Sequence, residues 1–187
     1  MTDVDDEDIT IQNIVATTTI AKTLDLVEIS SILPNSEYDI GRFPGLIYHM
    51  DNPKTATLLF SSGKVVCTGA KNIKDAQISI EHIAKELHKN KIKVDTKPKI
   101  TVQNIVATHD IGTPLNLNSI SVSLGLENVE YEPEQFPGLV YRVFNPKVVA
   151  LLFGSGKVVC TGAKNPDDIK IAIKKIKEEL QLSGFLP

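Results

Sequence analysis

The sequence contains the same segments twice, and this duplication limits the folds that are open to it. Residues 12–17 recur unchanged as residues 103–108, and residues 58–72 recur as 151–165 with one difference in 15 positions. The offset is 91 for the first segment and 93 for the second, so the second copy carries two inserted residues between them. Two copies of about 90 residues are too few and too long for a solenoid. The chain is therefore predicted to form two related halves.

The predicted domain bounds follow from this duplication. The first repeat is expected at residues 9–97 and the second at 98–187, with the boundary in a lysine-rich stretch that ends near Pro98. Residues 1–8 precede both repeats and hold five of the 23 acidic residues and none of the 20 basic ones. They are predicted to be an acidic, disordered leader.

Composition narrows the class of protein. Hydrophobic residues make up 42% and charged residues 23% of the 187, which favours a packed core. No apolar run approaches the roughly 18 residues that span a bilayer, and the acidic N-terminus is unlike a signal peptide. With two cysteines and no Cys-x-x-Cys pair, we expect neither a disulfide scaffold nor a zinc site, and no cofactor. The sequence thus predicts a soluble intracellular protein without a membrane partner.

Net charge leaves the nature of the partner open. The total is −3, but outside the leader 20 basic residues are set against 18 acidic ones. The body of the chain is slightly basic, which neither favours nor excludes DNA.

Each half shows the same order of predicted elements. A strand (9–17 and 100–108) precedes a short amphipathic helix, then three strands joined by tight turns, then a longer helix. Asn72 and Asn165 are the expected N-caps of the longer helices, and Pro166 fits the first helical position. Short turns favour antiparallel pairing, so the predicted class is α+β.

The predicted strands are apolar on both faces, although each half has only two helices to cover its sheet. In residues 64–68 the side chains of Val65 and Cys67 can face the helices, which leaves Val66 and Thr68 on the opposite face. A face that mixes Val with Asn and Thr suits a partly apolar partner that carries hydrogen-bond acceptors. Another sheet, a second subunit or a ligand could cover it.

Four of the six phenylalanines form two symmetric pairs. Phe43 and Phe60 are spaced evenly about one Asn-Pro turn, and Phe136 and Phe153 are spaced evenly about the other. A simple hairpin register would place the members of each pair directly opposite one another. They are either cross-strand core pairs or apolar wedges at each end of a symmetric sheet.

The repeated segments QNIVAT, FPGL and KVVCTGAKN resemble the TATA-box-binding protein family over residues 9–185. FPG in both halves and the lack of a long N-terminal extension resemble archaeal members. The resemblance implies a saddle: a curved ten-stranded antiparallel sheet with four helices on its convex face. It also implies a general transcription initiation factor that binds the A·T-rich TATA box in the minor groove and kinks the DNA. Transcription factor B and, indirectly, RNA polymerase are the implied protein partners.

The resemblance assigns roles to particular residues. The family's intercalating residues, here called the wedge phenylalanines, map onto Phe43, Phe60, Phe136 and Phe153. Its minor-groove contacts, here called the floor residues, map onto Asn13, Val15, Leu58, Val66, Thr68, Asn104, Val106, Leu151, Val159 and Thr161. Its phosphate contacts map onto Arg42, Lys64, Lys71, Arg142, Lys157 and Lys164. Its docking site for transcription factor B maps onto Glu132 and Glu134.

Two positions depart from the symmetry of the basic set. Gln135 stands where the first half has Arg42, and His49 stands where the second half has Arg142. Contact with the DNA phosphates is therefore left undecided at these two pairs of positions. An alternative function is that of a DNA-repair or small-ligand-binding protein on a similar duplicated fold. That alternative requires a catalytic carboxylate, Lys or His in a pocket, whereas the repeated segments supply contact residues. A non-enzymatic factor is therefore expected.

The resemblance further implies a location. An archaeal member would be cytoplasmic and nucleoid-associated, and a eukaryotic one nuclear. Whether the free protein forms a homodimer through its apolar face is left open, as is the direction in which it binds DNA.

Overall fold

The computed structural model describes residues 9–125 and 127–187, which form two compact units. The first unit holds residues 13–103, and the second holds residues 104–187 together with 9–12. The predicted disordered leader, residues 1–8, lies outside the described residues.

The first unit packs two helices against antiparallel strands. Its elements are β1 (Ile9–Thr19), α1 (Leu26–Ile32), β2 (Ser36–Glu37), β3 (Leu46–Asp51), β4 (Lys54–Leu59), β5 (Lys64–Ala70) and α2 (Ile73–Lys89). Across the sheet the order is β2-β3-β4-β5-β1, and every pairing is antiparallel. Helix α2 packs on β4 and β5.

The second unit repeats this arrangement. Its elements are β6 (Thr101–Asp110), α3 (Leu117–Leu124), β7 (Val129–Glu130), β8 (Leu139–Val143), β9 (Val148–Leu152), β10 (Lys157–Ala163) and α4 (Pro166–Leu182). The order is β6-β10-β9-β8-β7, again antiparallel, and α4 packs on β9 and β10. The ten antiparallel strands and four helices implied by the resemblance are thus confirmed within the described residues.

Sequence periodicity alone missed two strands. It predicted four strands in each half, whereas β2 and β7 add a fifth to each. Both are two residues long, and a pattern with a period of two cannot be recognised over two residues. They are strands because they pair with the edges of β3 and β8.

The two long helices begin where the caps predicted. Asp75 N–H donates to Asn72 Oδ1 at 2.8 Å, and Asp168 N–H donates to Asn165 Oδ1 at 3.0 Å. One apolar stripe of α4 is buried against the sheet; its members are Ile169, Ile173, Ile176 and Leu180. These helices therefore cover one face of each sheet.

The buried side of the first sheet carries hydroxyl groups that the second lacks. Thr55 Oγ1 donates to Ser79 Oγ at 2.9 Å, and Ser79 Oγ donates to the Asp75 carbonyl at 2.9 Å. The equivalent positions of Thr55 and Ser79 in the second unit are Val148 and Ala172, both buried. The same backbone therefore accepts either a polar or an apolar core at these positions.

Candidate nucleic-acid interface

The face of each sheet that the helices leave uncovered holds all ten floor residues. Along β1 and β5 buried side chains alternate with half-exposed ones: Ile14 and Ala16 are buried, while Asn13 and Val15 between and beside them are not. The same alternation occurs along β4, β6, β9 and β10. Every floor residue is half-exposed, so the predicted division of each strand into two faces is confirmed.

The amide of Asn13 is held in one orientation. Gly69 N–H donates to Asn13 Oδ1 at 2.7 Å. A backbone N–H can only donate, so the oxygen must face it and the Nδ2 group must point the other way. Nδ2 donates to Thr68 Oγ1 at 3.2 Å, and its second hydrogen remains for a partner.

Asn104 repeats this geometry in the second unit. Gly162 N–H donates to Asn104 Oδ1 at 2.7 Å, and Asn104 Nδ2 donates to Thr161 Oγ1 at 3.3 Å. In each unit the asparagine therefore presents a hydrogen-bond donor among apolar floor residues.

Two glycines that sequence reasoning overlooked produce this arrangement. Gly69 has φ +92° and Gly162 has φ +94°, a conformation that side chains disfavour. The pairing of β1 with β5 and of β6 with β10 shifts register beside them. That irregularity frees the glycine N–H for the asparagine. The signal was present in the sequence, because both glycines lie in the repeated segment.

The wedge phenylalanines form one aromatic pair in each unit. The ring centroids of Phe43 and Phe60 lie 5.8 Å apart with an interplanar angle of 67°, and those of Phe136 and Phe153 lie 5.9 Å apart at 72°. Both are edge-to-face contacts. Phe136 is 38% exposed, so this pair is not enclosed in a core.

The predicted register of these pairs was wrong by two residues. Leu46 pairs with Leu59, which places Phe60 beyond the paired residues and Phe43 outside β3. The hairpin reverses at Asn52-Pro53, one position later than the midpoint between the two rings. The rings meet because the chain before β3 brings Phe43 back over Gly45.

Gly45 and Gly138 make room for the rings. A Cβ atom on Gly45 would lie 2.7 Å from Phe43 Cε1 and 3.1 Å from Phe60 Cε1. A Cβ atom on Gly138 would lie 2.6 Å from Phe136 Cε1. The repeated Phe-Pro-Gly segment is thus explained by contact between each glycine and its aromatic pair.

The six candidate phosphate-binding residues are all exposed. Arg142 makes a contact that the sequence did not indicate: its Nη2 lies 3.2 Å from Glu130 Oε2. The two residues stand on neighbouring strands, β8 and β7. Together with His49 at the equivalent position of the first repeat, this ion pair weakens the assignment of Arg142 as a phosphate contact.

The acidic loop of the second unit is exposed. Glu132 and Glu134 both face solvent, and the N–H groups of Gln135 and Phe136 donate to the Glu132 carbonyl at 2.9 and 3.0 Å. The loop leads directly into a wedge phenylalanine.

The two thiols lie on the opposite, helix-facing side. Cys67 and Cys160 are free and fully buried. Burial raises the pKa of both, that of Cys160 to about 12. They are core residues, as their positions on the strands predicted.

Residues 9–125 and 127–187 hold neither a metal-ligand cluster nor a membrane-spanning helix. No group of three or more His, Cys, Asp or Glu side chains there is arranged to hold a metal ion. No helix in that part of the chain is long and apolar enough to cross a membrane.

Residues 8–90 and 99–182 each match the family model described as transcription factor TFIID, or TATA-binding protein. The chain belongs to the TATA-binding protein family. The predicted duplication thus corresponds to two family repeats, which are joined between residues 90 and 99.

Relatives and a solved structure agree with this membership. The chain is 59% identical to the TATA-box-binding protein of Picrophilus torridus over 180 residues, 96% of this chain and 98% of the relative. It is 52% identical to that of Archaeoglobus fulgidus over 181 residues, 97% and 99% of the two chains. The Methanococcus jannaschii TBP structure superposes with a TM-score of 0.85 at 51% identity, covering 93% of this chain and 98% of that one. The predicted resemblance to archaeal members of the TATA-binding protein family is therefore confirmed.

Proposed function

We propose that this protein binds the A·T-rich TATA box in the minor groove and acts in transcription initiation. Membership of the TATA-binding protein family supports DNA binding and a role in transcription. The orientation of Asn13 and Asn104 is the observation that carries the choice of groove and base pair. Each unit offers an amide donor surrounded by Val and Leu.

The chemistry of the minor groove fits this floor. A·T pairs present only acceptors there, adenine N3 and thymine O2, whereas G·C pairs add the guanine N2 amino group. Nδ2 of Asn13 can donate to either acceptor. The Val and Leu side chains of the floor offer no acceptor to the guanine amino group, which would be desolvated against them without a partner. The surface therefore accepts A·T and rejects G·C.

The wedge phenylalanines are proposed to kink the duplex. Apolar side chains inserted between base steps unstack them and bend the helix. Each unit carries its aromatic pair beside the floor, in contact with Gly45 or Gly138.

The basic set is proposed to contact phosphates. If all six residues neutralise one phosphate each, the slope of log affinity against log salt is about −5. Arg142 must first give up its contact with Glu130. A smaller slope is expected if it does not.

Base substitution in the duplex tests the groove assignment. Inosine lacks the N2 amino group of guanine, so an I·C pair resembles A·T in the minor groove and G·C in the major groove. We expect binding in a gel-shift assay to survive replacement of A·T by I·C and to be lost with G·C. Binding that follows the major-groove pattern would refute the proposal.

Transcription factor B is the proposed protein partner, docking at Glu132 and Glu134. The resemblance implies a largely basic partner at this loop, and both side chains are exposed. We expect Glu132→Arg with Glu134→Arg to abolish the supershift by transcription factor B while DNA binding is kept. Glu178→Gln on α4 is the control for a general effect of lost acid. A supershift by the double variant at wild-type concentrations would place the docking site elsewhere.

Recruitment of RNA polymerase through this complex, a nucleoid-associated cytoplasmic location and a non-enzymatic role complete the proposal. Family membership favours this function over the DNA-repair or small-ligand alternative. A test for base release on the bound duplex separates the two, since only a repair enzyme would liberate a base. A homodimer of the free protein would be detected by sedimentation.

A further inference from the structure

His49 lies on the same face of the first sheet as the floor residues. Its neighbour Tyr48 is buried under the helices, whereas His49 is exposed. Because side chains alternate along a strand, the imidazole faces the side that the helices leave uncovered. It lines a cavity of about 310 Å³ together with the floor residues Asn13 and Thr68. His49 is therefore placed where a bound duplex would run.

The equivalent position in the second unit holds an arginine that is already paired. Arg142 contacts Glu130, and the first unit has Glu37 in the same register beside β3. A histidine side chain is shorter than an arginine. Among residues 9–125 and 127–187, no side chain forms an ion pair or a hydrogen bond with the His49 ring. A phosphate that binds this ring thus has no ion pair to break.

Three charged side chains flank His49 on this face. Glu37 lies on β2, Asp51 is two residues further along β3, and Lys54 stands opposite Asp51 at the start of β4. All three are exposed. Together with His49 they are here called the edge group. With a neutral imidazole, two acids and one base give the edge group a net charge of −1.

The second unit has the opposite charge at the equivalent positions. The residues there are Glu130, Arg142, Phe144 and Lys147, with a net charge of +1. The difference arises where Arg142 replaces His49 and Phe144 replaces Asp51. Near neutral pH a phosphate is therefore attracted to this edge of the second unit and repelled from that of the first.

We propose that His49 is a phosphate contact of the first unit that forms only when its imidazole is protonated. This inference rests on the proposed function, because the phosphate belongs to the duplex that the floor binds. Protonation brings the net charge of the edge group to zero and makes both ring nitrogens donors. A charged donor binds a phosphate oxygen more strongly than a neutral one. Since histidine changes charge at about pH 6.5 in water, the contact forms as the pH falls through that range.

The pH dependence of DNA affinity tests the contact. The protonated form binds more tightly, so binding takes up a proton and affinity rises as the pH falls. We expect the wild-type chain to bind an A·T-rich duplex roughly tenfold more tightly at about pH 5.5 than at about pH 7.5. His49→Gln, which stays neutral, should lose this gain, and His49→Arg, which stays charged, should bind almost equally at both values.

His88→Gln is the matched control for a histidine outside the interface. His88 is exposed in the last turn of α2, on the helix-covered side of the sheet. This variant should keep the wild-type pH profile, because any contribution of the other titrating groups is common to all the variants. Equal pH profiles of wild type and His49→Gln would overturn the proposal.

Salt dependence identifies the phosphate as the partner. Each phosphate contact adds about −0.9 to the slope of log affinity against log salt. We expect the wild-type slope to steepen by about that amount from pH 7.5 to pH 5.5, and the slope of His49→Gln to stay unchanged. A wild-type slope that does not change with pH would overturn the contact, because a protonated ring that pairs with Glu37 instead neutralises no phosphate.

Folding and function are separated by two further measurements. His49 is exposed, so chemical denaturation of His49→Gln and His49→Arg at each pH should match that of wild type to within about 0.5 kcal/mol. If no duplex binds at either pH, the proposed function fails, and this contact fails with it. If A·T-rich DNA binds specifically but the His49 variants share the wild-type pH profile, the proposed function stands and only this contact is refuted.

Discussion

Replacing Gly138 by alanine is expected to impair DNA bending without unfolding the second unit. The added Cβ would lie 2.6 Å from Phe136 Cε1 and 3.1 Å from Phe153 Cε1. Non-bonded carbon atoms prefer a separation of about 3.5–4.0 Å, so the ring of Phe136 must retreat by about 1 Å. It can do so because it is 38% exposed. The backbone is unstrained, since Gly138 is not among the glycines with positive φ.

The expected loss of stability follows from the aromatic contact that the Phe136 ring gives up. Its edge-to-face contact with Phe153 contributes about 0.5–1.5 kcal/mol, which bounds the fall in the free energy of unfolding. The displaced wedge no longer matches its base step, and we expect binding to weaken about tenfold, or about 1.4 kcal/mol. Chemical denaturation measures the first quantity. Fluorescence energy transfer between dyes at the two duplex ends measures the bend.

Gly154→Ala is the matched control in the same unit. A Cβ at Gly154 would meet only the Leu115 carbonyl oxygen at 3.7 Å, and the first repeat already carries Ser61 there. This variant should bind, bend and unfold like wild type. The reasoning is refuted if Gly138→Ala loses about 3 kcal/mol or more of stability, the loss of a truncated core aromatic. It is equally refuted if Gly138→Ala bends DNA normally.

Three further outcomes are expected. Asn104→Asp should keep the contact with Gly162 N–H but lose the outward amide donor, so DNA binding should fall by tenfold or more while the free energy of unfolding is retained. Binding as tight as that of the wild type would contradict the role assigned to Asn104. The triple change Thr55→Val, Thr57→Ala and Ser79→Ala gives the polar core of the first unit the residues of the second, and it should change the free energy of unfolding by less than about 1 kcal/mol. Removing the Ser79 hydroxyl alone leaves Thr55 without its partner and should cost about 1–3 kcal/mol. The pKa of Cys160 is about 12 in the folded protein against about 8.5 in the unfolded chain, so above pH 8.5 only the unfolded thiol loses its proton. This thiol should lower the free energy of unfolding by about 1.4 kcal/mol per pH unit between those values, and Cys160→Ala should reduce the slope by that amount in a titration of urea midpoints while the contribution of Cys67 stays.

Much of the fold could be predicted from the repeated segments. Strand parity assigned Val65 and Val66 to opposite faces of the sheet, because side chains alternate along a strand whatever the neighbouring strands do. The caps at Asn72 and Asn165 followed from local chemistry alone. These features depend on a few neighbouring residues, so the sequence determines them.

Pairing between strands was less predictable. The strands β2 and β7 exist only because a longer strand offers an edge, and the hairpin register depends on which turn residues close it. The contact between Phe43 and Phe60 arose by a path other than the direct pairing inferred from their spacing. The sequence thus identified the two rings that meet but predicted the wrong register for the strands beside them.

The chemistry of the candidate site was decided by the tertiary structure. The sequence by itself determined that Asn13 lies on the uncovered face of a strand, but not which end of its amide points outward. That choice is made by Gly69, 56 residues away in the chain, whose N–H approaches Oδ1 only where the strand pairing shifts. Likewise the ion pair of Arg142 with Glu130 forms between neighbouring strands. An amide or a guanidinium has several hydrogen-bonding directions of similar energy, and only partners brought close by folding select one.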